Sequence, residues 1–115
     1  MASSFRIDYL EFPSKDGLKT RDFFTAAFGW GAVDYGPTYH GIADAGIDAG
    51  IQADAREATA ATLAVIRTDD LDAAQASVER AGGIITRAQF DFPGGRRFHF
   101  REPGGNELAV YVSRE

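Results

Sequence analysis

The chain holds two histidines, His40 and His99, and no cysteine. Proton transfer or metal ligation must therefore be built from imidazole, carboxylate and phenol groups, with thiolate sites, disulfides and a cysteine nucleophile all excluded. In RRFHFRE, strand alternation turns Arg97, His99 and Arg101 to one face and Phe98 and Phe100 to the other. An imidazole beside arginines is disfavoured as a cation and serves as a base or hydrogen-bond partner near neutral pH. Its plainer role is a histidine on a solvated sheet face. A guanidinium such as Arg97 can hold a carboxylate through two parallel hydrogen bonds, or pair with an acid such as Glu107 and brace the sheet.

A second cluster lies near the N-terminus, where Tyr9 and Glu11 share a face opposite Asp8, Leu10 and Phe12. A carboxylate among aromatic groups in a partly dry site can move a proton while a phenol polarises a carbonyl. The simpler role has Glu11 paired with an arginine and Tyr9 packing. Trp30 and Phe92 are candidates for an aromatic wall or a subunit contact. Trp30 is better suited to sealing a helix against the sheet edge, and Phe92 falls in a loop before a Gly-Gly turn. His40, in a Gly-rich turn region, is expected at the surface. Pro93 to Gly95 and Pro103 to Gly105 read as turns, because no Lys-Ser/Thr or strand-to-helix context makes either a phosphate loop.

The elements that must position these groups occur twice in the same order. An apolar strand from Phe5 to Phe12, stopped by Pro13, leads to Asp16 as helix cap, and Gly29 ends a helix packed through Leu18, Phe24, Ala27 and Phe28 with Phe23 alongside. Three short antiparallel strands then fit the Gly-punctuated text from Trp30 to about Asp54. Ala53 to Ala61 reads as a linker with room for a turn of helix. Thr62 to Thr68 is the second leading strand, with Leu63, Val65 and Arg67 on one face. Asp69 or Asp70 caps a helix carrying Leu71, Ala74, Gln75, Val78 and Ala81 at helical spacing, and Gly82-Gly83 ends it. Ile84 to Thr86, Arg96 to Arg101 and Glu107 to Val112 complete the copy, the last placing Glu107, Ala109 and Tyr111 opposite Leu108, Val110 and Val112. The expectation is one α+β domain over 1–115, made of two βαβββ units at about 5–54 and 62–113 joined by a linker at about 53–61. Such half-domains pack to make one core and a cleft.

Composition narrows the function. The formal net charge of −5 argues against nucleic-acid binding, and Arg96, Arg97 and Arg101 form a cluster suited to a small anion only. No apolar run approaches the roughly 20 residues of a membrane span. MASSFRIDYLEF lacks the basic and long apolar regions of a secretory signal, so the expected location is cytoplasmic.

The two strand-helix-strand-strand-strand units, the helix ending FFTAAFGW and the turn EPGGN running into the last strand together resemble the vicinal oxygen chelate superfamily. That superfamily contains glyoxalase I, bleomycin-resistance proteins, fosfomycin-resistance enzymes and extradiol dioxygenases, and the chain is most similar to its small glyoxalase-like members. The resemblance implies a curved, barrel-like mixed sheet with helices outside, a ligand against its concave face, and a homodimer. It also implies where metal ligands would stand. On the leading strands these positions fall at Tyr9 and Leu63, on the closing strand at Ala109, and in the first unit at Gly50 or its neighbours. Leu and Ala supply no donor atom, so the expectation is the fold without the metal chemistry.

The function expected from these residues is metal-free, cofactor-free binding of a small organic molecule in the cleft between the two βαβββ units, by Tyr9, Glu11, Trp30, Arg97, His99, Glu107 and Tyr111. The alternative is an isomerase or lyase in which Glu11 or His99 transfers a proton next to a carbonyl. A metal-dependent lyase would need displaced ligands drawn from His40, His99 and the glutamates, and a third possibility is an interaction subunit with no ligand.

Overall fold

In the computed structural model, which describes residues 4–114, ten elements follow one another in two βαβββ series. The first runs β1 (Arg6–Pro13), α1 (Gly17–Phe28), β2 (Gly31–Asp34), β3 (Tyr39–Ala43) and β4 (Asp48–Gln52). The second runs β5 (Leu63–Arg67), α2 (Leu71–Arg80), β6 (Ile84–Phe92), β7 (Gly95–Arg101) and β8 (Glu107–Ser113). The protein is therefore α+β with mixed sheet pairing. Two compact units divide the chain, one spanning Tyr9–Leu63 and the other joining the residues up to Asp8 with those from Ala64 onward.

In the first unit the strands lie in the order β2-β3-β4-β1, with β1 and β4 parallel and the other pairs antiparallel. The Asp16 carboxylate accepts from the Lys19 amide as N-cap, and Gly29 closes α1 in the left-handed region at φ 73°. Ile42, Ala49 and Ile51 form the buried core, with Leu10, Phe12, Phe24 and Trp30 packed on it. The expected packing face of α1 needs correction. Phe24 is anchored, its ring 5.4 Å from Phe12 and 5.2 Å from Trp30, but Leu18, Phe23, Ala27 and Phe28 are exposed, Phe23 at 61%. Only one narrow stripe of this helix meets the sheet. The connection after β4 contains a hydrogen-bonded turn at Asp54–Ala58 and no helix.

In the second unit the order is β5-β8-β7-β6, with β5 and β8 parallel and the rest antiparallel. Asp70 caps α2 through the Ala73 amide. Leu71, Ala74, Phe98, Phe100 and Val110 form the core under this helix. Removing a side chain like Phe98 from water is worth about 3 kcal/mol. Strand β6 is longer than Ile84 to Thr86, because register shifts on either side of Arg87 keep it paired with β7 as far as Phe92. Phe92 is thus a strand residue opposite Gly95, not a loop residue. No helix among the described residues is long and apolar enough to cross a membrane.

Candidate functional site

Each unit has one sheet face packed on its helix and one face carrying polar groups. On the polar face of the first unit, Glu11 lies opposite Gly50, which in turn lies opposite Gly41. The absence of a side chain at Gly50 admits two phenols: a Cβ there would stand 2.2 Å from both the Tyr9 and the Tyr39 hydroxyl. Those hydroxyls are 2.6 Å apart, and Tyr39 donates to the Glu11 Oε2 at 3.0 Å. Glu11 is only 3% exposed. Burial first, and then the neighbouring Glu11 charge, hold the Tyr39 phenol far above its ordinary range, so it stays protonated. Tyr39 was not anticipated from sequence. The available signal was its alternation with Gly41 beside a second glycine-bearing strand.

On the polar face of the second unit, registration across four strands sets side chains in rows. One row reads Arg67, Tyr111, Arg97, Phe90, and the adjacent row reads Val65, Ala109, His99, Arg87. His99, 2% exposed, donates from Nδ1 to the Glu107 Oε2 at 3.3 Å, and Thr86 Oγ1 donates to the same oxygen at 2.9 Å. Nε2 of His99 is buried without a hydrogen-bond partner among the described residues. Burial and the adjacent Arg97 charge lower the His99 pKa against the opposing pull of Glu107, so the ring is neutral near pH 7 with its lone pair on Nε2.

Arginines and rings interleave around it. Arg97, 8% exposed, lies 5.2 Å from the Phe90 centroid and 5.3 Å from Phe92, Arg87 lies 3.6 Å from Phe90, and Arg67 lies 5.9 Å from Tyr111. The Tyr111 hydroxyl donates to the Asp8 Oδ2 at 2.9 Å, and burial together with that carboxylate raises its pKa. On this face His99, Ala109 and Arg97 are buried, and Phe90, Phe92, Tyr111, Arg67 and Arg87 are half-buried.

Of the residues singled out from sequence, Arg97, His99, Glu107 and Tyr111 stand together on this face, and Tyr9 and Glu11 stand together on the polar face of the first unit. Trp30 lies on the helix side of its own unit, packed against Phe24 and Phe28 at 5.2 and 5.1 Å. His40 is not at the surface. It is 1% exposed on β3, donates from Nδ1 to the Asp34 Oδ1 at 2.7 Å, and packs against Gly17 of α1. Apolar neighbours and a strand partner account for the difference, since the Gly-rich text around it is sheet rather than turn.

The places where the superfamily resemblance puts metal ligands do not suit a divalent cation. Leu63 and Ala109 are fully buried aliphatic side chains, and the two phenols occupy the space above Gly50. Among the described residues no three His, Asp or Glu side chains gather as a cation site. An apolar cavity of about 270 Å³ lies on the helix side of the second unit, lined by Ile66, Ala74, Val78, Phe100 and Val110. The carboxylate at its edge, Glu102, is taken up by the turn through the Gly104 and Asn106 amides.

Solved structures share this fold at low identity. A hypothetical protein from Bacillus halodurans C-125 is 8% identical with a TM-score of 0.76, covering 98% of this chain and 97% of that one. A methylmalonyl-CoA epimerase from Mycobacterium tuberculosis is 13% identical with a TM-score of 0.71, covering 94% and 87%. A Mn(II)-bound glyoxalase from Novosphingobium aromaticivorans is 23% identical with a TM-score of 0.66; the match takes in 92% of this chain and 38% of that longer one. No curated protein is a significant match. Residues 6–110 match the description of one family over nearly the whole length, and the chain belongs to the Glyoxalase/Bleomycin resistance protein/Dioxygenase superfamily.

Proposed function

We propose that the protein binds a small organic molecule, without a metal, on the polar face of its second unit. The observation that carries this reading is His99: a buried imidazole, oriented by Glu107, whose Nε2 has no hydrogen-bond partner among the described residues. An orphaned buried acceptor costs about 1–3 kcal/mol, a cost that a donor group on a ligand would remove. The surrounding Phe90, Phe92 and Tyr111 rings supply apolar contact area.

The experiment is a melting-temperature screen against broad metabolite and antibiotic sets, repeated on His99→Phe. A ligand at 100 times its Kd adds about 2.7 kcal/mol to stability. The reading predicts at least one compound that raises the melting temperature of the wild type and has a reduced effect on the variant. A screen in which no compound shifts the wild type overturns it.

The same geometry favours a second reading, proton transfer next to a carbonyl. A neutral imidazole whose Nδ1 proton is held by a carboxylate has the arrangement of a general base. Glu11 is less suited, because its Oε2 already accepts from Tyr39. A bound carbonyl compound with an acidic C–H should then exchange deuterium from heavy water faster with the protein than without it, and His99→Gln should remove the acceleration. Binding without exchange would leave a binding protein.

A further inference from the structure

We propose that the apolar cavity on the helix side of the second unit is a binding site for an uncharged molecule with a hydrocarbon body and one oxygen group, the body against Phe100 and Val110 and the oxygen at Ser77. This site is separate from the polar face. Alternation along β8 puts Leu108 and Val110 on the helix side and Ala109 and Tyr111 on the other. At about 270 Å³ the cavity is far larger than the voids of an ordinary core, which seldom exceed one water. The space exists because the α2 positions that line it are short, Ala74 and Ser77 on the helix and Ala81 at its cap. Ile66, Val78, Phe100 and Val110 complete the lining. They offer no side-chain partner to water, and an apolar cavity of about 150 Å³ is already enough to take up benzene.

Two residues set the ligand class. Glu102 stands at the edge of the cavity, and its carboxylate accepts from the Gly104 and Asn106 amides and from the Asn106 side chain. Those bonds hold it below the usual carboxylate range, so it is ionised near pH 7. A fixed negative charge there repels an anionic headgroup. A cation gains no open carboxylate pair, since both Glu102 oxygens are engaged, and it would lose its hydration beside apolar walls. Ser77 is half-buried, and its hydroxyl has no hydrogen-bond partner among the described residues. A hydroxyl both donates and accepts, so it can meet an alcohol or carbonyl oxygen without any charge.

The test titrates the full chain with 1-butanol and 1-hexanol while methyl resonances are followed by carbon-13 NMR. Both alcohols should move the methyls of Ile66, Val78 and Val110 saturably and leave those of Val65, on the opposite face, in place. Affinity should rise about 4-fold per added methylene. Hexanoate and hexylammonium should each bind at least ~10-fold more weakly than 1-hexanol. Ser77→Leu and Ala81→Leu, which put bulk into the space, should each weaken 1-hexanol at least ~10-fold, and Ser77→Ala should weaken it by about 2–10-fold. Ala76→Leu, at an exposed position of the same helix outside the lining, should leave it unchanged. Ala81 is exposed, so its variant serves if Ser77→Leu does not fold. Absence of a saturable shift with either alcohol, or wild-type affinity in the folded leucine variants, overturns the site. Equal binding of hexanoate or hexylammonium overturns the uncharged class, and wild-type affinity in Ser77→Ala overturns the Ser77 contact.

Discussion

The hydroxyls of Tyr9 and Tyr39 meet 2.6 Å apart directly over Gly50. Three strands bring them there, and the glycine is what permits the approach. Gly50→Ala would drive a methyl group into both oxygens, and overpacking of this kind costs about 1–3 kcal/mol. Denaturant unfolding should show that loss, with part of it recovered when Tyr9→Phe is added.

Tyr39 is also a donor to a carboxylate that is 3% exposed. Tyr39→Phe removes this bond to Glu11, and a hydrogen bond to a charged group is worth about 1.5–3 kcal/mol. The double variant Tyr39→Phe with Glu11→Gln should lose less than the two single losses combined, since the residues are coupled.

His99 predicts a pH dependence whose sign is fixed. Its folded pKa lies below the ordinary value of 6.5 because burial and Arg97 disfavour the imidazolium. The unfolded chain therefore binds a proton at a pH where the folded chain does not. This contribution to stability is complete above about pH 6.5 and is lost as pH falls from there toward the folded pKa. His99→Gln should flatten the melting-temperature profile in that window.

His40 and Gly17 form a tight contact, since a Cβ on Gly17 would stand 2.8 Å from His40 Cδ2 and 2.9 Å from Nε2. Alanine is the better helix former by about 1 kcal/mol, yet Gly17→Ala should destabilise here, by about 1–3 kcal/mol, because the buried ring has little room to retreat. In a His40→Ala background the same substitution should become neutral or stabilising. Equal effects in the two backgrounds would contradict the contact.

Much of the architecture was legible from local rules. Asp16, Gly29 and Asp70 mark helix ends through capping chemistry that depends on a few neighbouring residues. The alternation in Glu107 to Val112 is regular, so its faces were readable, as were those of Phe98 and His99. The sequence shows only Ile84 to Thr86 of β6, because register shifts near Arg87 break the period of two. Exposure of Phe23 and Phe28 was hidden because a helix with apolar residues on several sides does not say which side meets the sheet. The Tyr9, Tyr39 and Glu11 contact depends on pairing between strands far apart in sequence, and a glycine reads as a turn until that pairing makes it a gap. The burial of His40 is hidden for a more local reason: the glycines around it read as turns, whereas they lie in a hairpin that sets Asp34 beside it.

The most direct measurement is a long-range proton–nitrogen NMR spectrum of histidine-labelled protein at pH 7, which reads the protonation of each ring nitrogen of His99. A neutral ring with its proton on Nδ1, held by Glu107, and an unprotonated Nε2 that shifts on adding a bound compound is the predicted result. A proton on Nε2, or an imidazolium at that pH, would contradict it and remove the acceptor on which the proposed binding face is built.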